Sequence, residues 1–316
     1  MTAGFGGAGA KNTPYMFTWD PYKAILNSNA FMISHTAAVN ALELINNTHL
    51  ASGSEDTTAK IWELATGQCI LTLDTFGKDK VKAIKLLSDG YLAGGGDGSF
   101  DIYIWSLKNG SVIKTLNGHT KKVNTIELLS NGDFASGADD KTVIIWNSTF
   151  TKKFTLTAAD HVNCLKQTPN GFLVGVLNGK NANLCIWSLL LTLGSSFITI
   201  DAHASNVKSV EILSNGDIAT SAEDNNVKIW SLRTYSLKFT LTGHTGHVKA
   251  LKLLPNGLLA SGSDDNHIKI WNTTSGSLVR DLPSPNNIDI NYFALVFLPN
   301  KTEITFSTSK FEPPNI

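Results

Sequence analysis

Arginine is nearly absent: of 26 basic residues only Arg233 and Arg280 carry a guanidinium. Bidentate recognition of phosphate or carboxylate relies on that planar fork, so a phosphopeptide reader is disfavoured. Excess charge of either sign is missing too. Lys plus Arg and Asp plus Glu both total 26, leaving no global field to recruit nucleic acid or an anionic membrane. Cysteine is scarce and odd in number; Cys69, Cys164 and Cys185 sit in neither a CxxC nor a Cys/His metal spacing. They read as buried thiols of a reducing compartment, the cytosol or nucleus, with no cofactor or metal implied. The opening MTAGFGGAGAKNTP lacks the basic stretch and apolar core of a signal peptide, so residues 1–14 are expected to form a flexible tail. Sequons beginning at Asn46, Asn109, Asn147, Asn272 and Asn300 then read as polar turn residues.

What is present is a period. Tryptophans fall at 19, 62, 105, 146, 187, 230 and 271, with spacings of 41 or 43. Such a spacing suits a unit of four short strands. The contexts repeat as well: LASGSEDTTAKIW, FASGADDKTVIIW, IATSAEDNNVKIW and LASGSDDNHIKIW each give small residues, a tight acidic turn and then alternating β-branched positions. These are two strands joined by a hairpin. Upstream, VNTIELLSNGD, VKSVEILSNGD and VKALKLLPNGL supply an apolar strand ended by an Asn-Gly turn, and downstream segments such as SLKFTLTGHT supply a fourth strand.

With GHT at Gly118–Thr120 and Gly243–Thr245 and with KIW or IIW endings, the chain resembles the WD-repeat β-propeller family. The Asp that usually follows the tryptophan is kept only at Asp20; Glu63, Ser106, Asn147, Ser188, Ser231 and Asn272 replace it. The resemblance implies an all-β, seven-bladed propeller of four antiparallel strands per blade, a single domain over residues 15–316. Six repeats end at Trp271, yet NYFALVFLPNKTEITFSTSK follows and looks like the first half of a blade, while YMFTWD and KAILNSN look like the second half. The last blade is therefore expected to be stitched from strands of both termini, which removes exposed sheet edges.

The resemblance also implies a hydrogen-bonded tetrad per blade. Its members would be His35, Ser52, Asp56 and Trp62 in the first blade, and His119, Ser136, Asp140 and Trp146 in the third. The fifth would use His203, Thr220, Asp224 and Trp230, and the sixth His244, Ser261, Asp265 and Trp271. A His, Asp and Ser together look like a hydrolase triad, but fourfold repetition at equivalent positions marks a structural staple. In the second and fourth blades Gly77 and Ala158 stand at the His position, and Ser99 and Asn181 at the Asp position, as though the partners were lost together.

By the same resemblance, partners are expected on the wide face of the ring. The acidic candidates are Glu55, Asp139, Glu223 and Asp264; the basic and amide ones are Asn40, Lys80, Lys82, Lys122, Asn124, Asn163, Asn206, Lys208 and Lys249, with His161 and His247 nearby. Two local departures stand out. GGGDGSFDIYIW lengthens the second-blade hairpin by two residues and brings in Phe100, and Leu189 to Leu191 with Leu193 replace polar residues in the fourth blade, an apolar run of the kind that marks contact sites. The functional expectation is a non-catalytic scaffold or adaptor, monomeric by itself, binding proteins or peptides, with no nucleic acid and no membrane. The rivals are a propeller enzyme, which needs an unrepeated titratable cluster at the channel, and a nucleic-acid-associated subunit, which needs a basic stripe with stacking aromatics.

Overall fold

The computed structural model describes the backbone of residues 15–20, 25–32, 35–178, 183–189, 197–283, 296–297 and 304–308, and side chains from 35 onward to 283 apart from the gaps and residues 89 and 197. The tail at 1–14 lies outside the described residues. Six consecutive sheets each hold four antiparallel strands in sequence order. The first blade runs Val39–Asn46, His49–Ser54, Thr58–Glu63 and Cys69–Asp74, and the next five open with Lys80–Leu86, Val123–Leu128, Val162–Gln167, Val207–Ile212 and Val248–Leu253. A further sheet joins the chain's two ends. Tyr15–Asp20 lies between Ile25–Met32 and Ile304–Thr308, with Tyr15 opposite Thr308 and Trp19 opposite Ile304, and Val296–Phe297 pairs beyond.

The core lies between sheets. One cluster joins Ile61 and Leu73 of the first blade to Val81 and Trp105 of the second, and another joins Val176 and Ile186 of the fourth to Val207 and Trp230 of the fifth. Second strands are covered on both faces, hence their runs of Ala, Ser and Gly. An ideal Cβ on Gly53 would stand 2.7 Å from the Val81 Cγ1, and one on Gly137 2.5 Å from the Val162 Cγ1. Those glycines receive the valine that opens the next blade.

In the six consecutive sheets each innermost strand carries a bulge just after that valine, seen as a register break between Val39 and Ala41, Val81 and Ala83, Val123 and Thr125, Val162 and Cys164, Val207 and Ser209, and Val248 and Ala250. A bulge re-aims a side chain and bends the strand locally. The six residues so displaced are Asn40, Lys82, Asn124, Asn163, Lys208 and Lys249, all of them expected face residues.

The hairpin reading needs a correction. Six residues separate the paired Gly95 and Ile102 where five separate Gly53 and Ala59, so the second blade is longer by one residue, not two. The two-residue extension belongs to the fourth blade, where Leu173 pairs with Trp187 across thirteen positions against eleven in the first. Counting from the tryptophan alone had hidden which blade held it.

Candidate functional site

The four expected tetrads assemble as read. His35 Nδ1 lies 2.7 Å from Asp56, its Nε2 2.7 Å from Ser52 Oγ, and Trp62 Nε1 donates to the same oxygen at 2.7 Å. The third blade repeats this at 2.9, 2.7 and 2.8 Å, the fifth at 2.9, 2.9 and 3.0 Å with Thr220, and the sixth at 2.8, 2.7 and 2.8 Å. Trp can only donate and an ionised Asp can only accept, so the indole donates to the hydroxyl and Nδ1–H to the carboxylate, with Nε2 on the same hydroxyl. Burial holds the His35 and His244 pKa values below the ordinary one, against the pull of their aspartates. For Asp56 and Asp140, burial alone would raise the pKa, but hydrogen bonds from His and Thr and from a backbone N–H outweigh it and hold both carboxyls well below the usual range. Both ring nitrogens of each histidine are thereby committed inside the blade.

The second and fourth blades do not merely lack this network, as the sequence had suggested. In the second, the buried Asp79 accepts from Ser99 N at 2.8 Å, Phe100 N at 3.2 Å, Tyr103 OH at 2.9 Å and the Ser99 hydroxyl. Burial, with the Asp79 carboxylate beside it, pushes the Tyr103 phenol up to about 12. Trp105 donates instead to the Asp74 carbonyl at 3.0 Å. In the fourth, buried Asn183 takes the Ala202 and His203 amides on its oxygen, at 2.9 and 3.2 Å, and gives its amide to the His203 and Ser205 carbonyls, at 2.7 and 3.2 Å. It thereby clamps the loop that delivers the next tetrad's histidine. Asn181 lies outside the described residues. A tyrosine two residues before the tryptophan, found only in the second blade, was the available signal for Asp79; nothing in the local pattern marked Asn183.

The expected face residues come together, but with one another. Glu55 meets Lys82 at 2.5 Å and Lys80 at 3.5 Å; Asp139 meets Asn124 at 2.7 Å, Lys122 at 3.5 Å and His161 at 3.6 Å. Glu223 meets Lys208 at 2.6 Å and Asn206 at 3.0 Å, and Asp264 meets Lys249 at 2.5 Å and His247 at 3.7 Å. The bulged asparagines reach the next blade, where Asn40, Asn124 and Asn163 donate to the carbonyls of Val81, Val162 and Val207 at 3.4, 3.0 and 2.9 Å. These half-exposed pairs are each worth about 0–1 kcal/mol. The face is thus a preformed, internally compensated ring with donors and acceptors already in place.

Sequence reasoning also missed an exposed aromatic residue on this side of the protein. Phe76 is 68% exposed and takes a positive φ of 58°, with its amide held by Asp74 at 2.6 Å. Of the leucine run, Leu189 is half-buried and packs against the core shared by the third and fourth blades; Leu190, Leu191 and Leu193 lie outside the described residues. No group of three or more His, Cys, Asp or Glu able to hold a metal occurs among the described residues, and no helix there is long and apolar enough to cross a membrane.

Radial four-stranded sheets bound by His–Ser–Trp–Asp networks define a WD-repeat β-propeller, and the chain belongs to that family. The model of the WD domain, G-beta repeat, matches residues 27–63, 110–147, 194–231 and 235–272. Those segments contain the four complete tetrads. Among curated relatives, autophagy-related protein 16 of Arabidopsis thaliana is 26% identical over 62% of this chain and 38% of its own length. The serine-threonine kinase receptor-associated protein of Gallus gallus is 31% identical over 42% of this chain and 38% of its own length. The chain thus spans well under half of either relative. Among solved structures, the WD40 β-propeller domain of Doa1 superposes with a TM-score of 0.74 at 22% identity, covering 87% of this chain and 91% of that one.

Proposed function

We propose that this protein is a non-catalytic scaffold that binds partner proteins or peptides on the face carrying the turns between second and third strands. The observation that carries this reading is the ring of bulge-displaced side chains, Asn40, Lys82, Asn124, Asn163, Lys208 and Lys249, held in place around the mouth of a central cavity of about 550 Å³. A peptide laid across it would exchange existing pairs for its own with little ordering cost, and Phe76 offers an apolar anchor at the rim. The kinase-receptor relative, named for an association, supports the same reading. The histidines that resemble hydrolase bases have no ring nitrogen left for a substrate, which counts against the enzyme alternative.

Affinity purification from the native cell, with the parent and with Phe76→Ala combined with Lys80→Glu, tests this. Both forms should melt alike, and the variant should recover its main partner about tenfold less well. Equal recovery by both, or recovery of RNA or DNA in a salt-sensitive manner, overturns the reading.

We further propose that the sheet built from both termini is the seventh blade and closes the ring, so that residues 15–316 form one domain. Its strands approach Val39–Asn46 of the first blade, which supports the placement. Deleting residues 1–27, or everything after Asp289, should lower the melting temperature and promote aggregation through the opened edges. A truncated chain melting cooperatively at the parent temperature would contradict closure.

A further inference from the structure

Reading the innermost strands four residues past their opening valine gives Glu43, Lys85, Glu127, Lys166, Glu211 and Lys252, alternating in sign through six consecutive blades. The repeat does not require this, since neighbouring positions hold Ala, Thr, Cys or Ser without order. In three dimensions the six meet. Lys85 lies 3.2 Å from Glu43 and 3.5 Å from Glu127; Lys166 lies 3.8 Å from Glu127 and 4.0 Å from Glu211; Lys252 lies 3.4 Å from Glu211. Every contact crosses between blades. Each glutamate also accepts from a backbone amide of the following blade: Leu86 on Glu43 at 3.4 Å, Gln167 on Glu127 at 3.4 Å and Leu253 on Glu211 at 3.1 Å. Lys166 and Glu211 line the central cavity, and the Glu211 and Glu127 side chains are only 10% and 12% exposed, so these two carboxylates are set deeper than the acidic residues of the outer face.

We propose that the six residues act as one alternating collar that dictates which blade sits beside which, and not as separate ion pairs. Blades of a propeller share nearly the same apolar surfaces, so packing alone discriminates poorly between correct and shifted neighbours. Alternating sign penalises every one-blade shift with like charges in contact, a form of specificity gained by repulsion. Parity adds a constraint, and this step rests on the seven-blade reading above. Strict alternation cannot close around seven positions, and aligning Leu298-Pro299-Asn300 with Leu254-Pro255-Asn256 puts the uncharged Val296 at the seventh.

A swap experiment separates a collar from isolated pairs. Lys166→Glu should lower the melting temperature by about 5 °C or more. Exchanging Glu127 and Lys166 would restore an isolated pair, but in a collar it sets lysine beside Lys85 and glutamate beside Glu211, so the loss should persist. Exchanging glutamate and lysine at all six positions should recover most of it. Recovery by the pair exchange, or an unchanged melt for Lys166→Glu, overturns the proposal. Should the reversed chains not fold, Lys166→Met and Glu43→Gln decide: a collar makes the interior Lys166, with two carboxylate neighbours, cost more than the terminal Glu43, and equal losses refute it.

Discussion

Replacing Gly175 by serine, the residue that three of the four intact repeats carry at the equivalent position, is expected to destabilise the protein. An ideal Cβ on Gly175 would stand 2.5 Å from Cζ3 and 2.8 Å from Cη2 of Trp187, with Leu165 Cδ2 at 3.1 Å on another side. Gly94 shows the same relation to Trp105, at 2.3 and 2.4 Å. In both blades that lack the tetrad the indole has settled into the volume the hydroxymethyl group would fill. Trp187 Nε1 has no hydrogen-bond partner among the described residues, so a returning serine could supply one, worth about 0.5–1.5 kcal/mol. Overpacking a filled core costs about 1–3 kcal/mol, and steric conflict should win. Chemical denaturation of Gly175→Ser against Gly175→Ala measures both terms, since only the serine can recover the bond. A Gly175→Ser protein as stable as the parent would show that the ring moves aside freely.

Asp265→Ala should cost about 1–3 kcal/mol at neutral pH, because it leaves His244 Nδ1–H buried without its acceptor and strips the Thr245 and His267 amides of theirs at 2.8 and 2.9 Å. The cost should also depend on pH. Burial opposes ionisation of Asp265, but the Thr245 amide, His244 and the His267 amide hold its pKa below the unfolded value. A depressed carboxyl contributes stability that is fully present above the unfolded pKa of about 3.9 and is lost as pH falls through the folded one. The Asp265 contribution to the gap between parent and variant should therefore shrink below about pH 4. His244 acts in a different window. Its lowered pKa means the unfolded chain takes up a proton first, so stability already declines as pH drops below about 6.5. Thermal melts across pH 3 to 7 that ran parallel for parent and variant throughout would refute the pairing.

The legibility of the molecule divides along a physical line. Strand positions, the period and the tetrads could be read because each rests on short-range rules: alternation along a strand, turn chemistry at Asn-Gly and after an acidic residue, and His, Ser, Asp and Trp recurring at fixed offsets. Even the pairing of Tyr15–Asp20 with Ile304–Thr308 followed from counting half-repeats. The expected face residues stand near one another, yet that the ring compensates its own charge could not be read. That outcome depends on bulges that turn Asn40 or Lys82 across to a neighbouring blade.

The same limit explains the two substitutes and the collar. Asp79 lies two residues from the position where a histidine was sought, Asn183 serves a loop some 20 residues on, and Glu127 meets lysines of the blades on either side. The sequence alone determined what each of the six consecutive blades is, because such a blade is built from contacts within about 40 residues. The tertiary structure decided what holds each blade to the next, because those partners are brought together only when the sheets stand radially about one axis.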